Sequence, residues 1–194
     1  MALIFDIMKK IICIIVYISF IHSVCGQETF NVPDRTQEQK LLSEIYSQWD
    51  ILSSAISITR THGISPYEYG RYAGDLFASA WDKENGFAYY CEKIIYHWEN
   101  WRTNEDAATF IINKKDESLT FKVSIQGLKN YFGEKGNFGV SLDEMMQCIK
   151  GIEEQIAEYL GYTFNLEIEE EWLPCTATWY SFAIITITNN DPAV

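Results

Sequence analysis

The clearest pattern of apolar and polar positions runs from Ser141 to Thr188, where a helical period gives way to an alternating one. Ser141-Leu142-Asp143-Glu144 has the form in which a cap hydroxyl and a third-position carboxylate satisfy backbone N–H groups at a helix start. Leu142, Met145, Ile149, Ile152, Ile156 and Leu160 then recur at helical spacing, and Gly161 stands where a left-handed residue ends a helix. Tyr162, Phe164, Leu166 and Ile168 next alternate with Thr163, Asn165, Glu167 and Glu169, the mark of a strand with one wet face. After a break at Pro174, Thr178 to Thr188 reads as its partner strand.

Upstream the same reading predicts three helices and a hairpin. Thr36 and Gln39 can cap a first helix whose stripe is Leu41, Leu42, Ile45, Trp49, Leu52 and Ile56, with Gly63 at its end. Ser65-Pro66-Tyr67-Glu68 opens a second helix, in which Gly70, Gly74 and Ala78 make a smooth strip for close packing. A third helix, from about Gly86 to Arg102, carries Phe87, Tyr90, Cys91, Ile94, Trp98 and Trp101 along one side. Thr109 to Asn113 and Leu119 to Ile125 read as strands joined by Lys114 to Ser118. Gln126 to Gly139, with four glycines among Tyr131, Phe132 and Phe138, reads as a mobile flap. The sum is one α+β domain: a four-stranded antiparallel sheet of two hairpins, covered by about four helices.

The N-terminal stretch is excluded from that domain. Lys9-Lys10, the apolar run Ile11 to Ile21 and Val24-Cys25-Gly26 form a basic region, an apolar region too short to span a bilayer comfortably, and a cleavage site. Residues 1–26 are therefore read as a signal peptide and 27–194 as the domain, exported to the periplasm or secreted, with no transmembrane span in the mature chain. Lipidation of Cys25 is the rival reading, but His22 stands where a lipobox wants an apolar side chain.

At 47% hydrophobic and 15% aromatic residues, the 194-residue chain can bury one substantial core. Its net charge of −12 disfavours nucleic acid and anionic membrane surfaces as partners. Cys91, Cys148 and Cys175 remain after the signal peptide, so at most one disulfide can form within the chain. Cys91 and Cys148 fall in apolar helical stretches, and Cys175 lies in the last hairpin's loop. Phosphate-loop and Gly-x-Ser-x-Gly patterns are absent, and His62 and His97 have no second ligand at metal spacing, so neither a metal nor a cofactor is expected. Glu167, Glu169, Glu170 and Glu171 read as a solvated strand.

Taken with Gly70-Arg71-Tyr72-Ala73-Gly74, the aromatic third helix and the Tyr180-x-Phe182 strand after the Cys175 loop, this order of elements resembles the 4-vinyl-reductase domain. Heme-NO-binding and TRAPP-like proteins share that architecture. The resemblance implies a pocket between helices and sheet for small hydrophobic molecules, acyl chains or tetrapyrroles, or a role in the assembly of complexes. It places Cys175 at the first of two cysteine positions and Tyr180 at the second, and it makes His97 a weak heme-ligand candidate. The function expected is a non-enzymatic domain holding a small apolar or aromatic ligand against Tyr90, Trp98, Trp101 and Phe132, with Cys175 at the rim. The alternatives are a hydrolase with Cys175 as nucleophile, and a structural envelope protein that docks a partner at the sheet edge or the Gly127–Gly139 stretch.

Overall fold

The computed structural model describes residues 36–100, 111–115, 118–134, 136–173 and 177–190. From Gln37 onward they belong to one compact unit, and it is α+β. In chain order the elements are α1 (Gln37–Thr61), α2 (Pro66–Ala78), α3 (Gly86–Asn100), β1 (Ile111–Lys115), β2 (Ser118–Ser124), α4 (Gln126–Phe132), α5 (Leu142–Leu160), β3 (Tyr162–Leu173) and β4 (Thr178–Asn189).

Local chemistry sets the ends of the two best-defined helices. At both Ser65 and Ser141 the hydroxyl accepts from the N–H three residues on, and that residue's glutamate reaches back to the serine N–H. Gly161 ends α5 in the left-handed conformation, at φ 89°.

All four strands run antiparallel, in the order β1-β2-β4-β3. Leu119 faces Ile187, Phe121 faces Ile185, and Phe164 and Leu166 face the same two residues from the other side. This apolar face is buried beneath Ile45, Trp49 and Ile56 of α1, Tyr90, Ile94 and Trp98 of α3, and Met145, Ile149 and Ile156 of α5. The opposite face sets polar side chains around Ile184 and Phe182: Thr120 and Thr186 meet at 3.3 Å, and Lys122 lies over the Phe182 ring and donates to Glu169 at 3.2 Å and Glu171 at 2.5 Å.

Four expectations need correction. Gln126 to Gly139 is not a flap: it opens with α4, whose Gly127, Leu128 and Phe132 are buried. Two apolar residues one turn apart suffice to seat a seven-residue helix when the core receives them, and Asp50 of α1 then accepts hydrogen bonds from Tyr131 and from Asn137 Nδ2, the latter at 2.7 Å. The first hairpin is tighter than the Lys114–Ser118 connection predicted, because Lys114 and Lys115 pair with Leu119 and Ser118; lysine is a common residue on an edge strand. Leu41 is 57% exposed because it precedes Ile45, the first buried residue of α1. Ile168 is 48% exposed because β3 is an edge strand of the sheet, and Ile168 pairs with Ala183 only one residue before β2 ends at Ser124, opposite Phe182.

The glycine strip of α2 packs onto α5. A Cβ at Gly70 would stand 2.1 Å from the Cys148 carbonyl oxygen, and one at Gly151 would stand 2.4 Å from that of Tyr67. Arg71 and Tyr67 close the flank of this interface, with Arg71 bidentate to Glu158 at 2.8 and 2.6 Å and Tyr67 donating to Glu154 at 2.6 Å. Among the described residues, no helix is long and apolar enough to cross a membrane.

Candidate functional site

Glu153 is the unusual residue of α5. Four residues after Ile149 and four before Ala157, it falls on the buried stripe, and its side chain is 8% exposed. A carboxylate in such a place needs partners. One oxygen, Oε1, lies 3.7 Å from Nδ1 of His97; the other, Oε2, has no hydrogen-bond partner among the described residues.

His97 and Tyr90 come from α3, two turns apart and so on one side of it. His97 is more than half exposed, whereas Tyr90 is buried and its hydroxyl also lacks a partner among the described residues. Burial pushes the Tyr90 phenol well above the ordinary range, and the nearby Glu153 charge adds to the shift. Around these groups stand aromatic rings. Tyr90 stacks on Tyr162 at 5.3 Å, and Trp81 meets Tyr90 edge-on at 5.4 Å and His97 at 6.3 Å. Phe87 meets Tyr162 at 5.2 Å. A 3-10 turn at Lys83–Asn85, capped by Asp82, follows Trp81 directly.

Tyr162 also lines a cleft of about 320 Å³ with Glu154, Glu158, Thr163, Phe164 and Asn190. Tyr162, which stacks on Tyr90, thus also borders an open depression.

The expected site residues fare differently. Tyr90 is brought together with His97 through Trp81, whose ring meets both. Trp98 and Phe132 are core residues, 4% and 2% exposed, and neither lines the cleft. Trp101 and Cys175 lie outside the described residues. As expected, Cys91 and Cys148 are buried, and burial pushes the Cys148 thiol up to about 12, which makes it a poor nucleophile. Glu153 is missing from the residues that the pattern points to, although an acidic residue inside an apolar stripe is a signal in its own right. Lys129 Nζ stands 2.9 Å from Ser181 Oγ, a spacing seen in nucleophile–base pairs, but the ammonium also donates to Glu170 at 2.6 Å and Ser181 is 2% exposed. Among the described residues, no group of three or more His, Cys, Asp or Glu side chains could hold a metal ion. No protein-family model, curated protein or solved structure matches the chain.

The contact with Glu153 raises the His97 pKa above its usual 6.5, against the effect of burial. A raised folded-state value means stability that is fully present below about pH 6.5 and is lost as pH rises through the raised value. Thermal melting across this range should show that decline in the native chain, and His97→Gln should flatten it. An unchanged profile in the variant would exclude the His97–Glu153 pair as its source.

Proposed function

We propose that this is an exported, non-enzymatic domain that binds a small apolar or aromatic molecule in the layer between α3 and the sheet. The supporting observation is the Tyr90 hydroxyl, buried among aromatic rings with no partner among the described residues. An unmet buried hydroxyl costs on the order of 1–3 kcal/mol, which a ligand contact at that point would recover. Pockets for small molecules combine these features, an apolar lining with a few polar groups that orient the guest. The resemblance to the 4-vinyl-reductase domain and its TRAPP-like relatives, a four-stranded sheet covered on one side by helices, belongs to the same proposal.

Native and denaturing mass spectrometry of protein purified from its own host tests the reading. A discrete small-molecule increment in the native spectrum, diminished by Tyr90→Phe, is the expected result. Equal masses, with no ligand taken up from a host extract, would overturn it. The denatured mass reports the processed N-terminus: a chain starting at Gln27 agrees with export, and an intact Met1 contradicts it.

A further inference from the structure

We propose that the guest is an organic cation, an alkyl- or arylammonium whose N–H or N-methyl groups meet Glu153 Oε2 and the Tyr90 oxygen among the rings of Trp81, Tyr90 and Tyr162. The inference rests on the small-molecule reading above and names the ligand class. Three observations carry it. Glu153 presents a buried carboxylate oxygen with no partner among the described residues, and an ionised carboxylate can only accept hydrogen bonds. An ammonium can only donate, whereas a carboxylate or phosphate guest would set acceptor against acceptor at Oε2. The rings are the second observation: their faces carry negative potential, and cations, quaternary ammonium groups included, are attracted to aromatic walls of this kind. The third is the approach. Glu154 and Glu158 line the cleft that shares Tyr162, on a chain of net charge −12, so the surrounding field favours cations.

His97 gives the site a distinguishing behaviour. It meets Glu153 from α3, with Lys93 on its own helix opposing its charge, and Trp81 packs beside it. A protonated imidazole and a bound ammonium would share one carboxylate, so the guest binds more tightly once His97 is neutral.

The test is calorimetric titration of the full chain with 2-phenylethylammonium and tetramethylammonium chlorides, with 2-phenylethanol and 3-phenylpropionate as neutral and anionic counterparts. Both ammonium ions should bind, with 3-phenylpropionate silent and 2-phenylethanol weaker. Glu153→Gln should weaken the cations by about tenfold or more, a change of about 1.4 kcal/mol. Tyr90→Phe, which keeps the ring, should weaken them less. Binding to the native chain should tighten from about pH 6 to about pH 8, and His97→Gln should remove that dependence. No ammonium binding, equal binding of all four probes, or full cation affinity in a folded Glu153→Gln chain would overturn the inference. If Glu153→Gln fails to fold, Tyr90→Phe and the charge series on the native chain still decide. A neutral or anionic molecule in the native mass spectrum would overturn the cation and leave the binding domain standing, whereas no bound molecule would remove both.

Discussion

Replacing Gly70 by alanine is expected to cost about 3 kcal/mol of folding stability, although alanine is the better helix former. In the middle of an exposed helix the exchange would gain about 1 kcal/mol. Here the new methyl carbon would stand 2.1 Å from the Cys148 carbonyl oxygen and 2.9 Å from its carbon. Both are backbone atoms of α5, so no side-chain rotation relieves the clash and the helices must move apart. Gly74 has the same relation to α5, since a methyl carbon there would stand 2.6 Å from the Ile152 oxygen, and one on Gly151 would meet the Tyr67 oxygen at 2.4 Å from the other side. Separation would also lengthen the bidentate Arg71–Glu158 pair and the Tyr67–Glu154 bond at the flank. Urea unfolding monitored by far-UV circular dichroism measures the effect. Gly151→Ala should match it, and the double variant should lose less than the two combined, because the first methyl already separates the helices. A gain in stability for Gly70→Ala would mean that α2 and α5 are not in close contact.

That interface is legible in the sequence because its determinants are local. Ser65-Pro66-x-Glu68 and Ser141-x-x-Glu144 each fix a helix start with residues within one turn, and the four-residue repeat of Gly70, Gly74 and Ala78 marks a close approach whatever the partner. The partner's own glycine, Gly151, carries no such repeat and does not stand out. α4 shows the converse: its seven residues are held by what they meet, Asp50 of α1 through Tyr131 and the core through Leu128 and Phe132, and the surrounding glycines read as loop. The site divides in the same way. Tyr90 stands out as part of an aromatic stripe on one helix, whereas Glu153 acquires its meaning from His97, fifty-six residues earlier, which only the packing of α3 beside α5 brings within 3.7 Å. Exposure of Ile168 is hidden too, because alternation along β3 does not say where the covering layer stops.

Trp49→Ala is expected to be at least as damaging as the glycine changes, at about 3–5 kcal/mol, the range for truncating a buried large aromatic residue. Trp49 is 1% exposed, and its ring meets Tyr46 at 5.5 Å and Tyr131 at 5.0 Å. Tyr131 in turn stacks on Tyr46 at 4.8 Å and donates to Asp50, so the indole supports the joint between α1 and α4. The indole Nε1 has no partner among the described residues, so Trp49→Phe, which keeps most of the ring and discards the unmet donor, should cost much less than Trp49→Ala. One turn further along α1, Ser53 is fully buried, and its hydroxyl too has no partner among the described residues. Ser53→Ala should therefore be neutral or stabilising by up to about 1 kcal/mol, since it removes a desolvated polar atom, leaves almost no cavity and improves helix propensity. The two substitutions, four residues apart on one helix face, thus carry opposite expected signs. Urea midpoints for both decide the matter: a large loss from Ser53→Ala would show that its hydroxyl has a partner, and a small loss from Trp49→Ala would show that α1 is not anchored to α4 through the indole.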